Sequence, residues 1–173
     1  LSQTTLIFGR ARRCKEWDQE KFVGNGVLGP MARHLTLSDF KIQDRFPVHW
    51  GDMDSARHVN NLVYLRWAET VRVAYFEAMG MNVDFSGDAA GPILAWQDCK
   101  YIFPMTFPDV ALVGARVTEI AEDRFTLETG IFSERQERIA AITKQVIVPY
   151  NYAKLTKVPL PVTWVEGIKG IEG

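Results

Sequence analysis

A chain of 173 residues, 47% of them hydrophobic, can bury one substantial core. Its net charge of -1 leaves no basic excess for phosphate contacts, which argues against nucleic acid as a primary ligand. It has no secretory apolar region, no glycosylation sequon and no apolar run near the ~18 residues of a membrane span, so it reads as a soluble intracellular protein, mitochondrial or cytoplasmic.

Residues 1–34 read as an extension on the domain. Arg10, Arg12, Arg13 and Lys15 stand in the first fifteen residues with no acid, a composition like a mitochondrial targeting segment or its remnant. A basic surface extension fits equally well. Gly24, Gly26, Gly29 and Pro30 then make a loop rather than a dinucleotide fingerprint, because no apolar strand precedes them and no amphipathic helix follows. Cys14 and Cys99 lack metal-type spacing and read as free thiols of a reducing compartment.

A first strand is expected over Leu37–Trp50, interrupted near Asp44–Arg45 and at Pro47, which assigns it to an edge or a bulge. A long helix follows, from about Asn60 to Met79. Its apolar positions, from Leu62 and Val63 through Trp67, Val71 and Tyr75 to Ala78, cover most of the circumference. Only Arg66, Glu69, Thr70, Val73 and Glu77 trace a mostly polar stripe, so the helix needs cover on most sides. Gly80 is placed to stop it. Four strands come next, over Pro92–Phe103, Val110–Ile120, Arg124–Ser133 and Arg138–Tyr150. The short polar connections Ala121–Asp123 and Glu134–Glu137 indicate antiparallel hairpins. The two prolines of K-V-P-L-P predict an extended tail over 156–173. Strand, one buried helix and four antiparallel strands make an α+β fold in which a strongly curved sheet holds the helix. A single sheet leaves part of the helix bare, so the first strand, the extension or a second subunit is needed to finish its burial.

The stretch W-G-D-M-D-S-A-R-H-V-N-N-L-V-Y-L-R-W-A-E resembles the signature of hotdog-fold thioesterases of the 4-hydroxybenzoyl-CoA thioesterase type. The resemblance continues through Y-I-F-P-M-T-F-P-D-V and K-Q-V-I-V-P-Y, over residues 36–160. It implies a hotdog domain over 35–155, a curved sheet of about five strands wrapped around one long central helix. It also implies a homodimer with active sites at the subunit interface, often paired again into a homotetramer. By position, the catalytic aspartate falls on Asp54 and the amide that polarises the thioester carbonyl falls on Asn61. The family commonly has glycine before H-V, where this chain has Arg57. A glycine there serves a positive φ or a close ligand approach. An arginine either narrows the site or binds a phosphate or carboxylate of the substrate.

These residues suit thioester hydrolysis, which needs a nucleophile or a base for water and donors where charge grows on the carbonyl oxygen. A helix N-terminus supplies unpaired N–H groups and the positive end of a dipole. Asp54 can attack directly or deprotonate water; the sequence leaves both open. No metal or redox cofactor is required, coenzyme A being part of the substrate. Asp52 reads as a turn or capping residue, and Asn60 as the helix cap beside the substrate. His58 either touches substrate or orients the loop through its ring, the latter being preferred. Tyr64 divides evenly between acyl pocket and core. Trp50, Trp67 and Trp96 read as packing residues, and Glu69–Arg72 as a surface pair. The leading expectation is an acyl-CoA thioesterase. The alternatives are a thioesterase acting on acyl-carrier protein, and a catalytically weak or inactive hotdog domain serving as a binding or structural subunit of a larger assembly, in the mitochondrion or elsewhere.

Overall fold

The computed structural model describes residues 35–81 and 89–173, of which Leu35–Gly173 forms one unit. Its elements in order are β1 (Ile42–Val48), α1 (Asn61–Ala78), β2 (Ala90–Tyr101), β3 (Asp109–Ile120), β4 (Phe125–Ser133), β5 (Arg138–Asn151), β6 (Thr156–Lys157) and α2 (Val162–Glu172). Two single-turn 3-10 helices, Leu37–Asp39 and Trp50–Asp52, flank β1. The expectations on the basic extension, the glycine-rich loop and Cys14 lie outside the described residues.

The strands form one sheet in the order β1-β3-β4-β5-β2, with the short β6 beside the end of β5. Every pairing is antiparallel, as the hairpin connections require. Register shifts at Leu94/Trp96, Val117/Glu119 and Ile131/Phe132 add residues on one strand of a pair. Such bulges bend strands and increase twist, and here they help curl the sheet around α1. Strand β1 runs through Asp44, Arg45 and Pro47 without a break. It tolerates the proline because among the described residues it is an edge strand, paired only with β3.

The alternation of β4 decides which face meets the helix. Phe125, Leu127 and Ile131 are fully buried and share a cluster with Val71, Tyr75 and Phe76 of α1. Helix α1 buries Val63, Tyr64, Trp67, Ala68, Val71, Arg72, Tyr75 and Phe76. Arg66, Glu69, Thr70, Val73 and Glu77, the stripe expected from the sequence, are all exposed. Arg72 lies inside the buried face, and Glu69 neutralises it at 3.1 Å from the surface. Leu62 departs from the expectation of near-complete cover, since it stands 64% exposed at the first turn.

Gly80 ends α1 at φ +77°, a conformation that costs an L side chain energy. The Gly80 N–H reaches the Glu77 carbonyl at 3.0 Å, and the Met81 N–H reaches that of Phe76 at 2.9 Å. Two of the orphan carbonyls of the last turn are thereby satisfied.

The extended tail expected over 156–173 is corrected. Residues 162–172 form α2, with Pro161 at its N-cap. The prolines end before the helix begins, so they set its start instead of preventing it. Trp164 and Ile168, one turn apart, are buried, and Trp164 meets Phe125 edge-on at 6.4 Å. Glu172 then accepts from the Tyr75 hydroxyl at 2.7 Å and from the Val117 N–H at 2.8 Å. One carboxylate thus ties α2 to α1 and to the bulge of β3.

Candidate active site

The segment between β1 and α1 is held by Asp52. Its carboxylate accepts from the His49 N–H at 2.8 Å and from the Arg66 guanidinium at 3.0 Å, while its carbonyl accepts from the Asn60 N–H at 2.8 Å. A single buried acid therefore connects the end of β1, the second turn of α1 and the helix cap. Beyond it Met53 and Val59 form an isolated antiparallel bridge, which makes Asp54–His58 the tip of a small hairpin. The Asp54 N–H donates to the His58 carbonyl, and the Arg57 N–H to the Asp54 carbonyl, both at 2.9 Å. The Ala56 N–H donates to Asp54 Oδ1 at 2.8 Å, an Asx turn that fixes the carboxylate and leaves Oδ2 without a partner among the described residues. Asp54 is exposed.

Asn60 caps α1, with its side chain accepting from the Leu62 N–H at 2.9 Å and its carbonyl from the Val63 N–H at 2.9 Å. The Asn61 N–H, just before those two, has no acceptor among the described residues. Asp54 stands two residues beyond Asp52, and Asn61 one beyond Asn60. The Asp52–Asn60 hydrogen bond consequently sets a free carboxylate oxygen and a free helix-start N–H on neighbouring strands of chain.

The connection from β2 to β3 braces this loop from below. The Val59 N–H donates to the Met105 carbonyl at 2.9 Å, and the Met105 N–H to the Tyr64 hydroxyl at 3.0 Å. The Phe107 N–H reaches Met53 Sδ at 3.4 Å, and the Tyr101 hydroxyl donates to the Asn61 carbonyl at 3.1 Å. Burial, followed by the neighbouring Cys99, pushes the Tyr101 hydroxyl up to about 12, so it remains a donor at neutral pH. Burial likewise raises the Tyr64 hydroxyl and the Cys99 thiol.

The structure gathers Asp54, Arg57 and His58 in one turn and Asn60 and Asn61 at the adjoining helix start. Arg57 adopts φ +63°, the conformation for which glycine is the usual residue. Tyr64 stands in the first turn of α1. It is 3% exposed, spends its hydroxyl on Met105, and packs edge-on against Trp67 and Tyr101. The His58 ring makes no hydrogen bond among the described residues; the loop is closed by that residue's backbone carbonyl. Two packing expectations are also corrected. Trp67 is buried, but Trp50 is 74% and Trp96 51% exposed, on an outward 3-10 turn and an edge strand respectively. Tyr101 and Met105, forty or more residues from the helix start they hold, carry no local signal of that role. Among the described residues no three His, Cys, Asp or Glu side chains are grouped to hold a metal ion.

A family model described as the thioesterase-like superfamily matches residues 48–168, from the end of β1 into α2. Among solved structures, a thioesterase from Thermus thermophilus complexed with coenzyme A and zinc is 26% identical, over 78% of this chain and 96% of that one, with a TM-score of 0.68. A thioesterase-superfamily protein from Jannaschia sp. matches at 20% identity, 84% and 98% coverage and a TM-score of 0.70. A 1,4-dihydroxy-2-naphthoyl-CoA thioesterase from Synechocystis matches at 18% identity, 76% and 98% coverage and a TM-score of 0.67. At those identities the last two speak for the fold alone. No curated protein matches the chain. The curled antiparallel sheet around α1 is the hotdog architecture, and with the match over residues 48–168 it establishes that this chain belongs to the thioesterase-like superfamily, as a thioester hydrolase.

Proposed function

We propose that the protein hydrolyses acyl-CoA thioesters to free acid and coenzyme A, with Asp54 as nucleophile or general base and the Asn61 N–H as oxyanion donor. The observation that carries this reading is the unpaired Asn61 N–H at the start of α1, bonded through Asn60 and Asp52 to the loop that presents Asp54. A donor of this kind costs about 100- to 1,000-fold in rate when removed from other hydrolases. In the nucleophilic route Asp54 Oδ2 attacks the thioester carbon, the thiolate leaves and takes a proton, and water splits the resulting anhydride. In the general-base route Asp54 takes a proton from water as its oxygen attacks, then returns it to the departing sulfur. Neither route draws on a cofactor.

The coenzyme A bound to the Thermus relative supports CoA as the carrier. Arg57, His58 and Asn60 serve as substrate contacts in this reading, supported by their position in the turn and cap between Asp54 and Asn61, with the exposed Arg57 guanidinium able to meet an anionic group. A homodimer, alone or paired into a tetramer, is supported by the free edge of β2. That strand is 12 residues long, pairs on one side only among the described residues, and exposes Leu94, Trp96 and Tyr101.

Thiol release from short, long and aromatic acyl-CoAs tests the assignment. Asp54→Asn is expected to lose at least about 100-fold in kcat with the fold intact. Unchanged activity in that variant would remove Asp54 from the chemistry and shift the reading to a binding or structural subunit. The same acyl group offered on coenzyme A and on acyl-carrier protein decides the carrier.

A further inference from the structure

Three buried side-chain atoms among the described residues lack a hydrogen-bond partner: Thr129 Oγ1, Thr143 Oγ1 and Gln145 Oε1. Unpaired polar groups of this kind are uncommon in protein interiors and cost stability where they occur. All three fall in one patch. Thr129 and Thr143 face each other across β4 and β5, and Gln145 lies one step further along the same face of β5. This is the face that carries Phe125, Leu127 and Ile131 under α1. Each of the three residues is 0% exposed.

The patch continues outward to the free edge of the sheet. Thr143 pairs with Cys99 and Gln145 with Gln97, and these two β2 residues are half-buried. Gln145 Nε2 donates to Gln97 Oε1 at 3.0 Å, a bond that fixes the amide and leaves its own oxygen open. One step along β2 from Cys99, roughly 7 Å, stands Tyr101, whose hydroxyl holds the first turn of α1. A line of hydrogen-bonding groups therefore runs from the helix start, along β2, to the Thr129–Thr143 pair.

We propose that this patch is the floor of the acyl pocket and that it selects acyl groups bearing a hydroxyl or another hydrogen-bonding substituent several bonds from the thioester carbon. The proposal rests on the thioesterase reading above. A substrate hydroxyl can donate to Gln145 Oε1 or to a threonine oxygen and accept from a threonine O–H, whereas an alkyl chain leaves all three atoms unpaired. Sites built to bond a hydroxyl reject analogues that lack it far more strongly than apolar pockets reject an extra one.

Matched acyl-CoAs of four to eight carbons, with and without a terminal hydroxyl, provide the test on wild type, Thr143→Val and Thr129→Val. Wild type is expected to favour the hydroxylated member at one chain length by at least about tenfold in kcat/KM, and either valine variant to bring that ratio near one. The valine variants are expected to melt no lower than wild type, because each loses an unpaired buried hydroxyl. Equal rates at every length, or a preference that survives both variants, would overturn the proposal and leave an internal water as the patch's partner. Thermal shifts with the free hydroxy acids and their alkyl counterparts read the pocket independently of turnover. A shift confined to the hydroxy acids and lost in Thr143→Val supports the pocket even if no thioester is cleaved, in which case the hydrolase reading alone falls. The absence of such a difference counts against the pocket.

Discussion

Asn60 shows what a single residue can announce. Its cap bond spans two residues, so its role is written locally, and Asn60→Ala is expected to cost about 1 kcal/mol. Because the same cap positions Asn61, kcat should fall with it, which denaturant titration beside steady-state rates would show. Asp52 reads from sequence only as a turn residue, yet its carboxylate serves two donors in different elements. Asp52→Ala leaves the His49 N–H unpaired, and a loss of about 1–3 kcal/mol is expected in the same titration. At Arg57 the departure from glycine was legible, and the positive φ explains why glycine is usual there. Arg57→Gly relieves about 1–2 kcal/mol of left-handed strain and gives back about 0.5–1 in chain entropy. Its unfolding midpoint is therefore expected to rise slightly; if the guanidinium contacts substrate, KM for acyl-CoA rises with it. Tyr64 stayed divided and Trp50 was misread as packing, because burial of an aromatic side chain depends on elements far away in sequence.

Among elements, the strands were legible because alternation at period two records which face is buried. Helix α1 was legible because its exposed stripe is polar at helical spacing. Helix α2 was missed because Pro159, Pro161, Gly167 and Gly170 outweigh the turn-spaced pair Trp164 and Ile168. Gly167 has a positive reason to be glycine, since a Cβ there would lie 2.2 Å from the Met79 carbonyl oxygen. Gly167→Ala should push α2 from the end of α1 and cost about 1–3 kcal/mol in thermal unfolding. Two tyrosine hydroxyls bonded near opposite ends of α1 titrate high. The Tyr75 hydroxyl is raised by burial and by its bond to Glu172, and that of Tyr101 to about 12 from an ordinary 10.0. The folded state holds these protons more tightly than the unfolded chain, so their full stabilising effect is present below pH 10. It is lost as pH climbs from 10 toward 12, where unfolded tyrosines ionise first. Urea midpoints are expected to be flat in pH up to that window and to fall within it, less steeply in Tyr75→Phe.

For the whole molecule, the edge of β2 that no described strand pairs with is the expected assembly surface. Sedimentation is expected to show a homodimer or tetramer, and Leu94→Glu with Trp96→Glu to release a folded monomer. A wild-type monomer at all concentrations would refute the shared-edge assembly. Fold class, the strand series, the α1 stop at Gly80 and the helix start at Asn61 were determined by the sequence itself. Each rests on periodicity, capping or turn chemistry within a few residues, or on the spacing of one short motif. Only the tertiary structure decided that Asp52 binds Arg66, that Met105 and Tyr101 brace the loop, that α2 docks by Gly167, and that Thr129, Thr143 and Gln145 are left unpaired together. These depend on residues up to dozens of positions apart meeting across a curved sheet, and no local pattern in a chain records which of its distant residues will meet.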